Sequence, residues 1–352
     1  MTRKIKALHL TGFWSANFYY RGFLPAMANG WYAEPEHIDG DMQLDGQKMV
    51  AKMNDCDIVL FQRPNNSHIV ELMKLTKQKG KVVVFDDDDT FKLGEGIVPQ
   101  NEEEQKFGEE VALARREALM TASGVACTTE FLAKELRETN PNVCILPNCI
   151  DPDDAGEVDP NTTGRPRILI LGSVISNDDY IIAKKALEQI ADRVTFVLLG
   201  VPDNGTYKSY DDDLKWWRSL PHVEEVGFRV FGDYYNTIQA LSPDLIIAPR
   251  ADNYFNRCKS NLKFLESSLF AIPFIGQAFE DKLSPYQINP EDAKYLKLAT
   301  TEQDWIDILE DYLSNQEDYK KMGKDAQEYV CEEYSIHKHA HKWEEFYKTL
   351  LF

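Results

Sequence analysis

Short apolar runs alternate with helix-length amphipathic stretches along this chain, first in one half and then again in the other. That alternation restricts it to an α/β fold built on parallel sheets. In the first half the runs at 5–10, 57–62, 81–86, 124–128 and 143–147 read as buried strands, with helical spacing at 20–29, 45–53, 69–78, 102–121 and 130–138. Residues 152–165 follow, rich in Asp, Pro, Gly and Thr and without apolar period, so they read as an interdomain linker. A second series of strands is expected at 167–171, 194–199, 223–226, 244–248, 273–276 and 295–298, with helix from Thr301 onward. The expected organisation is a Rossmann-like domain at 1–151, the linker, a second such domain at 166–334 and a final helix at 335–352.

Composition bounds the function. A chain of 352 residues suits two domains, and 43% hydrophobic with 11% aromatic residues supplies packed cores rather than disorder. No apolar run is long enough to span a bilayer, and the N-terminal apolar stretch is too short and broken for a signal peptide. The six cysteines are scattered without a C-x-x-C pair, as expected of free thiols in the cytoplasm. A net charge of −19 argues against a broad electrostatic footprint for polynucleotide or anionic membrane, while leaving room for a local basic site.

The most informative segment is 250–276, RADNYFNRCKSNLKFLESSLFAIPFIG. A strand ends in a loop holding Arg250, and a helix is expected to begin near Ser260 as its N-cap. Asn261 then lies in the first turn, Leu262, Leu265 and Leu269 fall at helical spacing, and Pro273 stops the helix. The start of such a helix attracts anions, and Lys259 and Lys263 flank it with mobile positive charge. Glu266 lies about one turn beyond Lys263, roughly 5 Å of helix rise further on, where it would accept from ribose hydroxyls. Cations followed by a carboxylate fit a nucleoside diphosphate sugar; a plain amphipathic helix with a solvated polar face is the alternative.

This segment resembles the donor-binding signature of the GT-B retaining glycosyltransferases of family 4, the "group 1" transferases. They carry a glutamate on this helix just before a Gly-or-Ala-Ile-Pro turn, here Glu266 before Ala271-Ile272-Pro273. Many have an earlier glutamate, whose place is taken here by Cys258. Phe255, Asn256, Lys259 and Ser260 are similar to a sub-branch that lacks it. Pro147-Asn148-Cys149-Ile150-Asp151 resembles the family's linker element, and Gly172-Ser173 its first turn of the second domain. Gly12 takes the corresponding place in the first domain, and Arg21 resembles an arginine presented near the cleft. The resemblance implies two Rossmann-like, doubly wound domains facing across a cleft, with the last helix crossing back to the first domain. It also implies a retaining transfer from a UDP-sugar.

Asp86, Asp87, Asp88 and Asp89 look like the metal-binding D-x-D of a different fold, GT-A, in which a divalent cation bridges carboxylates and diphosphate. The nucleotide signature, however, lies in the other half of the chain, and its lysines neutralise phosphate without a metal. The aspartates are therefore expected on the acceptor side, Asp86 and Asp88 with Gly12 and Arg21, and Asp87 with Asp88 orienting the acceptor hydroxyl. A solvated acidic turn, and for Arg21 a helix-surface position, are the alternatives. His337, His339 and His341 form no metal site, because helical spacing turns His339 away from the other two. Trp216, Trp217 and Trp343 read as core.

The expected activity is a metal-independent, retaining transfer of a sugar from a nucleoside diphosphate to an acceptor hydroxyl. Gly172, Ser173, Arg250, Lys259, Ser260, Asn261, Lys263 and Glu266 would bind the donor, and Lys259 and Lys263 would stabilise the leaving diphosphate. The donor sugar is a substrate, and no cofactor is expected. The acceptor is expected to be a glycan or glycolipid, with a protein or a modified nucleic-acid base as other classes. A GT-B sugar-nucleotide epimerase and a catalytically silent nucleotide-sugar-binding protein are the alternative functions.

Overall fold

A computed structural model describes residues 4–11, 15–34, 46–92, 99, 101–172, 177–201 and 210–351. The chain folds as two compact units. The first comprises Met1–Asp151, Arg257–Ser260 and Ser335–Phe352; the second comprises Pro152–Asn256 and Asn261–Tyr334.

The first unit carries a six-stranded parallel sheet of β1 (Ala7–Leu10), β2 (Tyr32–Glu34), β3 (Ile58–Gln62), β4 (Val82–Asp87), β5 (Gly124–Cys127) and β6 (Val143–Ile145). Their spatial order is β2-β1-β3-β4-β5-β6. Strands β1, β3 and β5 are buried along their whole length and are apolar or small apart from His9 and Gln62, as expected of parallel strands covered on both faces. Strand β2 was not among the expected strands. Three residues on the sheet edge are too few to show a period.

Helices start where asparagine or threonine accepts a backbone N–H. Asn66 caps Ser67–Gln78, Asn101 caps Glu102–Thr121 and Thr129 caps Glu130–Arg137. The C-terminal helix Ile336–Leu351 packs into this unit, where Trp343, Phe346 and Tyr347 join Ile5, Ala7, Trp31, Ile58 and Leu60 in one core. Where it passes β5, a Cβ at Gly124 would come within 2.6 Å of the Leu350 side chain.

The second unit carries β7 (Arg167–Leu171), β8 (Thr195–Val201), β9 (Val223–Gly227), β10 (Leu245–Ala248), β11 (Phe274–Gln277) and β12 (Lys297–Ala299). All are parallel, in the order β12-β11-β10-β7-β8-β9. Trp217, Trp305 and Phe196 fill the core, and Trp305 Nε1 donates to Gln277 Oε1 at 2.8 Å. Residues 152–165 group with this unit and are bonded into it. Gly156 N donates to Leu269 O at 3.1 Å, Gln327 Nε2 to Gly156 O at 2.7 Å, and Asn161 Nδ2 to Asp244 Oδ2 at 2.6 Å. Among the described residues, no helix is long and apolar enough to cross a membrane.

Candidate functional site

In a doubly wound sheet the strand order reverses at one point, and the loops leaving the carboxyl ends there diverge to leave a crevice for ligands. In the second unit that point lies between β7 and β10. Their chain continuations are Gly172 and Pro249-Arg250, so fold geometry and motif select the same place. Gly172 N donates to Leu199 O at 3.1 Å; Ser173 lies outside the described residues.

Arg250 is 9% exposed and built into a polar frame. Its Nε donates to the Tyr286 hydroxyl at 3.2 Å and its Nη1 to Asn256 Oδ1 at 2.9 Å. Asn256 in turn donates to Asp179 Oδ1 at 2.7 Å, and Asp179 supplies a counter-charge 3.9 Å from the guanidinium. Tyr286 and Asp179 were not among the expected site residues, and neither belongs to the motif that drew attention to Arg250.

The helix that follows corrects one expectation. It spans Leu262–Leu269, and its N-cap is Asn261, not Ser260. Asn261 does not cap through its side chain, which instead donates to Asp292 Oδ2 at 2.9 Å. The Ser260 hydroxyl accepts from Asn148 Nδ2 at 2.9 Å. Both polar side chains are committed elsewhere, so no side chain caps this helix start. Lys263 lies in its first turn, half-buried. Glu266 is 4% exposed and accepts from the Tyr234 hydroxyl at 3.3 Å. Burial, followed by the Glu266 charge, pushes the ionisation of Tyr234 far up, so it remains a donor. A broad concavity lined by Asn289, Glu291, Tyr295, Glu328, Tyr329 and Glu332 shares no residue with this set. Its carboxylates would repel a diphosphate.

In the first unit the order reverses between β1 and β3. Thr11 and Arg63 follow those strands, and Gly12 lies outside the described residues. Arg63 takes a left-handed φ of 47° while its N–H donates to Asp86 O at 2.9 Å. That conformation costs a side-chain-bearing residue free energy, and such strain persists where surrounding bonds hold it. Here Arg63 Nε donates to Asp88 Oδ1 at 2.7 Å, and Nη2 is ion-paired to Asp89.

The four aspartates do not form a solvated turn. Asp86 and Asp87 are fully buried, and Arg21 is buried with them rather than lying on a helix surface. Arg21 sits in a π-helical turn, Tyr19–Phe23, that swings its guanidinium inward. There it donates to Asp86 Oδ2 at 2.7 Å and to the Leu146 carbonyl, and lies 5.0 Å from the Trp343 ring centre. The structure thereby corrects the expectation that Arg21 and Asp86 meet an acceptor, because each has the other as its partner in a sealed interior.

Asp87 is corrected likewise. It lies 3.3 Å from Arg115 Nη1, its Oδ1 accepts from Asp89 N at 3.1 Å, and no face of it is open to a substrate. Burial raises its carboxyl to about 6, against the pull of Arg115 and Arg63. Asp88 and Asp89 keep side-chain exposures of 13% and 15%. At Asp89 burial acts to raise the carboxyl, but Arg63 and Lys259 outweigh it and hold the group below the ordinary range.

Lys259 belongs to the first unit, where its ammonium is ion-paired to Asp89. The stretch around it is anchored by Thr129 Oγ1, which donates to Cys258 O at 3.1 Å, and by the Asn148–Ser260 bond. Four carboxylates thus face four cations: Arg21, Arg63, Arg115 and Lys259. Arg63 and Arg115 escaped the reading of the sequence. The former stands next to a strand end, a position that marks site residues in this kind of sheet. The latter is one of two adjacent arginines in an acidic helix, and nothing in the sequence distinguishes it from Arg116. His337, by contrast, is exposed on the last helix, 3.4 Å from Asp151.

No protein-family model matches the sequence, and no curated protein matches it at a significant level. Solved structures are similar over nearly the whole chain. HepE from Anabaena in complex with UDP-glucose has a TM-score of 0.69 at 14% identity, covering 98% of this chain and 100% of that one. A glycosyltransferase from Rickettsia africae has a TM-score of 0.64 at 13% identity, covering 99% of each chain. Sucrose-phosphate synthase from Thermosynechococcus elongatus has a TM-score of 0.62 at 14% identity, covering 98% of this chain and 99% of that one. With its two parallel six-stranded sheets and flanking helices, the chain has the GT-B fold of glycosyltransferases.

Proposed function

We propose that this protein is a glycosyltransferase that takes a sugar from a nucleoside diphosphate, UDP foremost, and transfers it to an acceptor hydroxyl with retention and without a metal. The observation that carries this reading is Glu266. It is a buried carboxylate on the helix leading away from the β7–β10 reversal, one turn beyond Lys263. The Tyr234 hydroxyl donates to the carboxylate at 3.3 Å, and ribose hydroxyls are donors of the same kind. The uncapped helix start and Lys263 place positive potential where a diphosphate would lie. Gly172, which carries no side chain of its own, directly follows β7 on its side of the reversal. HepE, similar in fold, was solved with UDP-glucose and with UDP.

In a retaining transfer of this type, charge develops on the departing diphosphate, which also accepts the proton of the attacking hydroxyl on the same face. Lys263, the helix start and Lys259 are the groups to stabilise it, worth more in a water-excluded site than in solution. Asp88 is the candidate for orienting the acceptor hydroxyl, since it keeps an open face. A glycan or glycolipid is the acceptor class proposed.

Calorimetric titration with UDP tests the donor site. Lys263→Ala and Glu266→Ala should each weaken binding by about 1–3 kcal/mol, the range for losing a charge-assisted hydrogen bond. Wild-type affinity in both folded variants would remove the basis of the assignment.

A further inference from the structure

Resting on the donor reading above, we propose that Tyr234 is a positioning residue of the donor site, which fixes the Glu266 carboxylate so that the site selects the vicinal diol of a ribonucleoside diphosphate. The need for such a residue comes from the glutamate side chain itself. Its last torsion has broad minima, so burial alone does not set the plane of the carboxylate. Glu266 is 4% exposed, and its partners must set that plane. The Tyr234 hydroxyl donates to Oε2 at 3.3 Å. Glu266 makes further interactions, so Tyr234 serves to fix one oxygen rather than to compensate the whole charge. Because the group is planar, a partner on one oxygen constrains the other.

Tyr234 is itself held in place. It lies on the helix Phe231–Leu241, where the Tyr235 ring packs edge-on against the Phe270 ring at 5.1 Å, and Phe270 caps the carboxyl end of the helix that carries Glu266. The Tyr234 ring has Phe231 and Tyr235 beside it, with ring centres 5.9 and 6.0 Å away. A tyrosine side chain has few torsions, so a packed ring leaves its hydroxyl little freedom. The carboxylate it meets belongs to the site at the β7–β10 reversal. Burial foremost, and after it the Asp179 and Glu266 charges, push the ionisation of Tyr286 up against the pull of Arg250, whose Nε donates to that hydroxyl at 3.2 Å. All of these residues lie in the second unit. A site built to hydrogen-bond a substrate's hydroxyls rejects an analogue that lacks them, because its buried polar groups are then left unmatched.

The experiment is calorimetric titration with UDP and with 2′,3′-dideoxyuridine diphosphate, which keeps base and diphosphate but lacks both ribose hydroxyls. The wild type should prefer UDP. Tyr234→Phe keeps the ring and removes only the hydroxyl. It should weaken UDP binding by about threefold to tenfold, tenfold corresponding to about 1.4 kcal/mol, and leave binding of the dideoxy analogue unchanged. Placed on Glu266→Ala, Tyr234→Phe should add nothing. A folded Tyr234→Phe protein that keeps the wild-type preference overturns the proposal, as does an equal loss for both ligands, which a purely structural role predicts. Tyr234→Met serves as a second variant, and failure of both to fold would make Tyr234 a structural residue and also overturn it. The wild type separates the two readings. If it prefers UDP and Tyr234→Phe retains that preference, only the role of Tyr234 fails; if it binds both ligands equally, or binds no UDP, the ribose reading of Glu266 fails and the proposal falls with it.

Discussion

Asp87 shows how differently four identical neighbours behave once a fold has placed them. Asp86 is matched to Arg21 and Asp89 is held by two cations, but Asp87 has Arg115 and Arg63 only at 3.3 and 3.6 Å, and burial prevails. A carboxyl raised to about 6 from an ordinary value near 3.8 contributes stability that is complete below about pH 3.8 and lost as pH rises through 6. Asp87→Asn keeps an acceptor for the Asp89 N–H and removes the buried charge. It should therefore stabilise the protein at pH 7 by up to about 3 kcal/mol, converting the shift at 1.36 kcal/mol per unit. The gain should fade toward pH 4. Urea unfolding at the two pH values measures both, and a destabilised Asp87→Asn protein at pH 7 would show that Arg115 and Arg63 hold the carboxylate more firmly than burial opposes it.

At the scale of elements, the last helix is tied to the sheet by a buried polar chain. His9 on β1 has Nδ1 at 2.9 Å from Gly22 O, a partner that can only accept, and the Tyr347 hydroxyl meets Nε2 at 2.7 Å. A neutral ring satisfies both, with Nδ1–H donating to the carbonyl and Nε2 accepting from the tyrosine. Burial, together with nearby Arg21, lowers the His9 ionisation to about 4 against the help of the Gly22 bond. A depressed pKa means that its stabilisation is present above about 6.5 and lost as pH falls through 4, about 3 kcal/mol in all.

Asp87 titrates in the opposite sense over part of that window, so the His9 effect is best read in the Asp87→Asn background. There, stability should fall steadily from pH 6.5 to 4. Tyr347→Phe should cost about 1–3 kcal/mol at pH 7 by leaving Nε2 without its donor. Denaturant unfolding monitored by the fluorescence of Trp31 and Trp343, which neighbour His9, reports both. A Tyr347→Phe protein as stable as the wild type would show the hydroxyl to be dispensable.

For the molecule as a whole, the question is whether transfer needs a divalent ion. Every aspartate at 86–89 already has a cation, and a D-x-D metal site needs carboxylates free to bridge ion and diphosphate. The proposed positive field comes from lysines and a helix start. Turnover of a UDP-sugar should accordingly persist in EDTA and gain little from Mn²⁺ or Mg²⁺. Loss of turnover on chelation, restored by either ion, would show that metal binding displaces these arginines.

What could be read from the sequence alone follows from local rules. Apolar runs of strand length, amphipathic stretches between them and the break near residue 152 determine a doubly wound α/β chain in two units, because hydrophobic period and burial are properties of neighbours in sequence. The segment proposed to bind the donor is contiguous for the same reason: strand, loop, lysines, helix and Glu266 follow one another in sequence. Strand β2 was too short to show a period, and the helix cap moved from Ser260 to Asn261 because Ser260 found Asn148, over a hundred residues away. The fate of the aspartates depended entirely on such distant partners. Arg21, Arg63, Arg115 and Lys259 are spread over most of the chain and meet only when β1, β3 and β4 align and a π-helical turn points Arg21 inward. Charge in a sequence says that compensation is needed; only the tertiary structure decides which cation provides it, since Coulomb energy depends on distances and burial that no local pattern encodes.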